Sequence, residues 1–304
     1  MEFTQQQKEL INELRAEWKK GDDTRDSGLS DKVEGVTRYN NINYGPYGSY
    51  NLLDVYRPDN TEKVPVIINS HGGGNFYGTK ETYQYYCLFL AKQGYAVINF
   101  NYRLAPDYQF PANLEDAWRV FNWVSEHADE YNLDTDHVFL VGDSAGGTMT
   151  EQLSTIYTND EYRQRFGFNK TDLHLRAAAL NCGGFFTRNY KELPKDTLKG
   201  MAYVAGLYNS THQDNAQYDL TKTEDYINSN FLPVYVMTSS DDFIRSSSIS
   251  LDKFLTEKKI NHEFHDYGSK DNPRPHVFHI NQKDDLAKKC NLDELRFFKE
   301  NMNS

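Results

Sequence analysis

The 304-residue chain carries 33 Lys and Arg against 44 Asp and Glu, a net charge of −11 with no basic stripe, so nucleic-acid binding lacks electrostatic support. With 38% hydrophobic residues, 22 Tyr and 18 Phe, it is too apolar to stay disordered and long enough to bury a core without staples. Its longest strongly apolar runs are strand-sized, as at 64–68, its first residues lack the basic-then-apolar layout of a secretory signal, and Cys87, Cys182 and Cys290 form no disulfide framework or zinc motif, so the expectation is a cytoplasmic protein with no membrane partner.

Taken in chain order, residues 3–19 predict a helix with Leu10, Ile11, Leu14 and Trp18 on one stripe, ended by Gly21-Asp22-Asp23 and followed by a polar loop to about residue 38. Residues 50–56 predict a strand, and the β-branched run Val64–Ser70 a buried parallel one. A helix over 79–93 stops at Gly94, which suits a C-cap. Strands over 95–100, 137–141 and 175–180 alternate with helices over 114–128 and 145–157. Residues 184–230 break the rhythm: they are polar and aromatic, with Tyr190, Tyr203, Tyr208 and Tyr218, and carry no apolar strand pattern. The alternation resumes with a strand over 232–237, a helix over 247–258, a strand over 261–267 and a closing helix from about Lys283. Such alternation predicts an α/β fold with a mostly parallel central sheet, helices on both faces and a small helical cap. The expected organisation is one domain over 1–304, with cap elements at 1–35 and 184–230.

Gly142-Asp143-Ser144-Ala145-Gly146 follows a predicted strand and opens a predicted helix, the context of a G-x-S-x-G nucleophile elbow. Upstream, His71-Gly72-Gly73-Gly74 closes a strand and offers bare backbone N–H groups to a small anion. Gly73 and Gly74, with the N–H of Ala145, would hold the oxyanion of an acyl-transfer intermediate. A serine nucleophile needs a base and an orienting acid, which this layout takes from loops after later strands. Asp241 and Asp242 are both candidates for the acid, and His276 and His279 for the base. His262 and His265, three apart on a strand, point to opposite faces and make a poor metal pair, and the HxxH of His276 and His279 has no third ligand; no metal site is expected.

With these residues in place, the chain resembles the α/β-hydrolase superfamily, in the esterase/lipase branch related to hormone-sensitive lipase. Five blocks carry the resemblance: His71-Gly72-Gly73-Gly74; Asn101-Tyr102-Arg103-Leu104-Ala105-Pro106 with Phe110-Pro111-Ala112; Gly142-Asp143-Ser144-Ala145-Gly146; Asp242-Phe243-Ile244; and His276-Val277-Phe278. The resemblance implies Ser144 as nucleophile, His276 as base in an H-x-F context, and Asp242, next to a short apolar segment, as acid. It implies a structural job for the Asn101–Pro106 block, supporting the oxyanion turn, and a cap built from the N-terminal helix and the 184–230 insertion. The chain departs from its relatives at Asn75, where they carry a glycine or an aromatic residue, which bears on the shape of the acyl pocket. The implied activity is that of a serine carboxylesterase on short acyl, acetyl-like esters with no cofactor, and the acidic, Tyr-rich cap stretch, whose aromatics suit stacking on sugars, adds acetylated carbohydrate as one substrate class. The expected partners are a small-molecule ester and, at most, a second copy in a homodimer. Competing readings are a catalytically silent small-molecule binder on the same fold, which would lack the histidine, and an aryl formamidase or peptidase-like hydrolase using the same residues.

Overall fold

The computed structural model describes residues 5–185 and 218–303. Eight strands form one sheet: β1 (Val36–Asn43), β2 (Leu52–Pro58), β3 (Val64–Ser70), β4 (Ala96–Phe100), β5 (Leu133–Asp143), β6 (Leu175–Asn181), β7 (Val234–Ser239) and β8 (His262–Tyr267), in the order β1-β2-β4-β3-β5-β6-β7-β8. β2 runs antiparallel to both of its neighbours, and every pairing from β4 to β8 is parallel. Parallel strands need crossovers, and the helices that supply them cover both faces. Period-two alternation divides the core accordingly. Val66 and Ile68 of β3, with Val138 and Leu140 of β5, point to a face packed by the helices Ala112–Glu126 and Ala145–Thr158. Ile67, Phe139 and Val141 point the other way, toward the helix Gln84–Lys92 and the closing helix Asp285–Glu300. With the first helix, Gln5–Asp26, as α1, these are α2 (Gln84–Lys92), α3 (Ala112–Glu126) and α4 (Ala145–Thr158) in chain order.

The parallel strands all present their carboxyl ends at one edge of the sheet, so His71, Ser144, Cys182, Asp242 and the loop bearing His276 are gathered there. Glycine permits the tightest part of this assembly. A Cβ on Gly146 would stand 2.0 Å from the Ser70 carbonyl oxygen and 2.6 Å from that of His71, and a Cβ on Gly142 would stand 2.3 Å from the Gly146 carbonyl oxygen. Helix α4 therefore lies against the end of β3 with no room for a side chain.

Several elements differ from the sequence expectation. Helix α1 runs straight through Gly21-Asp22-Asp23, because ion pairs from Lys19 to Asp23 and from Arg25 to Asp22 sustain the last turns. Its stripe is also narrower than the pattern implied: Ile11 is buried, whereas Leu10 and Trp18 are 42% and 39% exposed. Strand β1 overlaps only the end of the expected polar loop and runs on through 39–43, where no element is expected. It is an edge strand with a register shift between Tyr39 and Ile42 and a left-handed Asn41, so its sequence shows no clean alternation. The expected 79–93 helix splits into a 3-10 turn, Lys80–Tyr83, and α2. A short helix, Asp160–Arg165, capped by the Asn159 side chain, has no periodic signal. Tyr218 starts a 3-10 turn, while Tyr190, Tyr203 and Tyr208 of the expected cap lie outside the described residues.

Two glycines give opposite expectations. Gly21 sits inside α1 with nothing within 4 Å of where a Cβ would stand, so Gly21→Ala is expected to raise stability by about 0.5–1 kcal/mol. Gly146→Ala drives a methyl into two backbone carbonyls and is expected to lower it by about 1–3 kcal/mol or more. Urea unfolding of both variants checks the pair; a stabilised Gly146→Ala would contradict the close approach.

Candidate active site

Ser144 sits between the end of β5 and the start of α4 with φ 52° and ψ −120°, a conformation that costs a non-glycine residue about 1–3 kcal/mol. The turn is held by the Ser144 N–H donating to the Asn181 carbonyl at 2.9 Å and by Thr148 N–H donating to the Ser144 carbonyl at 3.1 Å. Its side chain is thereby turned out of the sheet edge, partly exposed, at the N-terminus of a fourteen-residue helix. His276 Nε2 lies 2.9 Å from Ser144 Oγ, and His276 Nδ1 lies 2.8 Å from Asp242 Oδ1. A single row of hydrogen bonds thus joins residues contributed by three separate loops.

Asp242 is fixed from several sides. Its Oδ1 also accepts from Ile244 N–H at 3.0 Å, and its Oδ2 accepts from Thr238 Oγ1 at 3.0 Å. Burial would push its carboxyl up, but the hydrogen bond and charge of His276 and the Ile244 N–H outweigh this and hold it below the ordinary value, as an anion. The acid and histidine loops are stitched together by Asp241 N–H donating to the Arg274 carbonyl at 3.0 Å and Ser239 Oγ donating to the Pro275 carbonyl at 2.9 Å. Asp241 itself is exposed, and His279 is buried with its ring against Tyr86 at 5.4 Å. Burial, with the nearby His276 charge, pushes the His279 imidazole down to about 3. The two alternatives left open by the residues alone are thus separated in space.

The glycine-rich turn leaves β3 in a left-handed course, with φ 113° at Gly73, 61° at Gly74 and 64° at Asn75. Among the described residues no acceptor meets the N–H of Gly73 or Gly74, and the N–H of Ala145, first in its helix, has no intrahelical partner. His71 anchors the turn rather than joining the row of hydrogen bonds. Its ring stacks on Tyr102 at 4.1 Å and 18°, its Nδ1 lies 2.7 Å from the Gly72 carbonyl, and burial pushes it down to about 4, so it stays neutral. The Asn101–Pro106 loop supports the turn directly: Tyr102 Oη donates to the His71 carbonyl at 2.7 Å, and Ala105 N–H donates to the Asn75 carbonyl at 2.8 Å. Arg103 in turn pins that loop to Asp116 and Glu115 on α3.

Two contributors lie outside the expected site residues. Phe243 lays its ring against His276, 4.4 Å between centroids, and is 43% exposed at the rim of the site. Tyr83 accepts from the Gly72 N–H at 2.9 Å and donates to Asp143 Oδ2 at 2.8 Å, tying the glycine turn to the elbow. Only the aromatic neighbour of the acid could be suspected from the motif; Tyr83 lies in a stretch that reads as plain helix. Among the described residues one group has the spacing of a metal cluster, Cys182, Asp242 and His276, with ligand atoms within 4.8 Å of one another. Its carboxylate is already bonded to the imidazole and the imidazole to Ser144, which makes it part of the same hydrogen-bonded row. His262 and His265 bond separately to Asp252 and Glu263. No described helix is long and apolar enough to cross a membrane.

Comparison with known proteins agrees with this fold. The family model for the alpha/beta hydrolase fold matches residues 67–280. Esterase LipI of Mycobacterium tuberculosis is 39% identical over 106 residues, 34% of this chain and 33% of its own. The versiconal hemiacetal acetate esterase of Dothistroma septosporum is 34% identical over 98 residues, 32% of this chain and 30% of its own. The matched stretch is thus about a third of each of these relatives. The crystal structure of esterase B from Lactobacillus rhamnosis (HN001) is similar throughout, with a TM-score of 0.86 at 25% identity, covering 98% of this chain and 96% of that one. The chain belongs to the α/β-hydrolase family.

Proposed function

We propose that the protein is a serine carboxylic ester hydrolase acting on short acyl, acetyl-like esters. The observation that carries this is the row Ser144 Oγ, His276 Nε2, His276 Nδ1, Asp242 Oδ1, with links of 2.9 and 2.8 Å, lying beside a turn whose Gly73 and Gly74 N–H groups meet no acceptor among the described residues. Ser144 Oγ attacks the ester carbonyl as His276 Nε2 takes its proton. Asp242, kept anionic, fixes the proton on Nδ1 and stabilises the imidazolium. The N–H groups of Gly73, Gly74 and Ala145 receive the oxyanion, each worth about 3–4 kcal/mol in the transition state. His276 then protonates the departing alcohol, and water, activated by the same base, releases the acid from the acyl-enzyme. The residues perform this without a cofactor.

A relative named as an acetate esterase and others named as esterases support the acyl assignment. The Phe243 ring, exposed beside His276, offers an apolar face to the alcohol moiety; an acetylated carbohydrate, stacking on such a face, is the substrate class we infer. Cys87, Cys182 and Cys290 are unpaired, and burial pushes all three thiols up, so they are inert and suited to a reducing, cytoplasmic setting.

Hydrolysis of p-nitrophenyl acetate and butyrate is expected to fall by about 10⁴-fold or more in Ser144→Ala, together with loss of labelling by a fluorophosphonate. Equal rates in the variant and the wild type would rule out the serine mechanism, and absence of both hydrolysis and labelling in the wild type would favour a silent binder.

The two histidines are expected to behave oppositely. His276→Gln removes turnover. His279→Gln retains it but alters the acid limb of stability: the folded chain keeps His279 neutral down to about pH 3, whereas the unfolded chain protonates it below about 6.5. The unfolded state therefore binds the extra proton, and stability falls with falling pH by ~1.4 kcal/mol per unit for this group. Urea unfolding from pH 7 to 4 should be shallower by that amount in His279→Gln; an unchanged slope would contradict a buried neutral imidazole.

A further inference from the structure

The glycine-rich turn is bonded not only to the sheet and the Asn101–Pro106 loop but also to α1. Arg15 Nε donates to the Phe76 carbonyl at 2.8 Å, and Arg15 Nη2 donates to the Ala105 carbonyl at 2.9 Å. One guanidinium therefore bridges the far limb of the turn and the loop beneath it, next to the point where Ala105 N–H already holds the Asn75 carbonyl. Two more contacts come from the same helix. Tyr77 Oη donates to Asp22 Oδ2 at 2.6 Å, and the Trp18 ring packs on Phe76 and Tyr77, with centroids at 4.9 and 5.7 Å. Trp18 also comes within 3.6 Å of where a Cβ on Gly74 would stand.

A run of left-handed residues at Gly73, Gly74 and Asn75 has little to hold it from within. Its internal bonds are Phe76 N–H and Tyr77 N–H, both donating to the Gly73 carbonyl at 3.2 and 2.9 Å. That carbonyl shares one planar peptide with the Gly74 N–H, so holding the carbonyl fixes where that N–H points. The aim of the oxyanion donors thus depends on where Phe76 and Tyr77 are held, and those are the residues α1 grips.

We propose that Arg15 is a positioning residue for the oxyanion hole, and that α1 serves as a brace that aims the glycine-turn N–H groups rather than only as a cover over the site. The proposal rests on the ester-hydrolase reading above. Arginine suits the task because its planar fork reaches two carbonyls at once with charge-assisted hydrogen bonds, whereas a lysine reaches as a single point. Because the oxyanion exists only after attack, slackening the turn weakens binding of the transition state and leaves ground-state binding of the ester nearly untouched.

The test is steady-state hydrolysis of p-nitrophenyl acetate by the full chain, Arg15→Ala and Arg15→Lys, with Ser144→Ala as the control for the esterase reading. The expected result is kcat lowered by about 10–100-fold in Arg15→Ala with KM changed by less than about 3-fold, on the scale of a misaimed donor. Added guanidinium ion should recover part of that kcat, and Arg15→Lys should fall between the two. An Arg15→Ala protein with kcat within about 2-fold of wild type, one whose loss lies in KM instead of kcat, or one with lowered melting temperature whose activity guanidinium does not restore, would overturn the proposal. If Arg15→Ala does not fold, Arg15→Lys decides: wild-type kcat there overturns it, and a lowered kcat at constant KM supports it. Failure of the wild type to hydrolyse the ester, or activity surviving in Ser144→Ala, would instead count against the esterase reading itself.

Discussion

The absence of a side chain at Gly146 governs the rest of the site. With the Ser70 carbonyl 2.0 Å from where a Cβ would be, α4 can come down onto the end of β3, and the glycine turn that leaves β3 is forced alongside the serine that precedes α4. The same approach puts the elbow under strain, which appears as the positive φ of Ser144. Strain of this sort persists only where the surroundings over-determine the backbone. Here the Asn181 carbonyl holds the Ser144 N–H from the neighbouring strand, and parallel pairing from β3 through β6 fixes Asn181 relative to Ser144.

Beneath the elbow lies a layer of buried polar groups, and its electrostatics suit a site that must keep one carboxylate charged and others quiet. Burial pushes Asp143 up to about 7 despite the Tyr83 hydrogen bond and the nearby His276 charge. Glu294, bonded to Asn181 Nδ2 and Tyr86 Oη at 2.7 Å each, is likewise pushed up to about 7 by burial. Asp242 goes the other way because its partners favour its anion. These three acids are therefore differentiated by their neighbours, and of them only Asp242, in line with His276 Nδ1, stays ionised well below neutrality.

How much of this is legible in the sequence follows from how local each constraint is. The buried strands Val64–Ser70 and Leu175–Asn181 can be read almost to the residue, because burial on both faces demands continuous apolar runs. The elbow and the glycine turn can be read because backbone conformations such as φ 113° at Gly73 require particular residues in sequence order. Choosing between Asp241 and Asp242, or His276 and His279, is beyond the residues themselves and needs the family resemblance, since both members of each pair sit in equivalent local chemistry. Edge strand β1 gives no signal because an exposed, bulged strand need not alternate, and α1 outruns its expected end because a solvent-facing glycine costs too little to stop a helix held by ion pairs.

The contacts that brace the site are the least legible, for a physical reason that reaches beyond this chain. Ser144 and His276 are 132 positions apart and still recognisable, because each sits in a short motif imposed by the chemistry at that point. Arg15 and Ala105 are 90 apart, and their hydrogen bond ends on a backbone carbonyl, which any residue could supply. Tyr83 acts on a backbone N–H in the same way. A side chain that acts on backbone leaves no complementary residue type at its target, so no pair of motifs betrays it. Chemistry that touches the substrate is written in contiguous residues, whereas the aim of that chemistry depends on single side chains reaching carbonyls and amides far away in sequence, and these are found only by following the hydrogen bonds outward from the turn they hold.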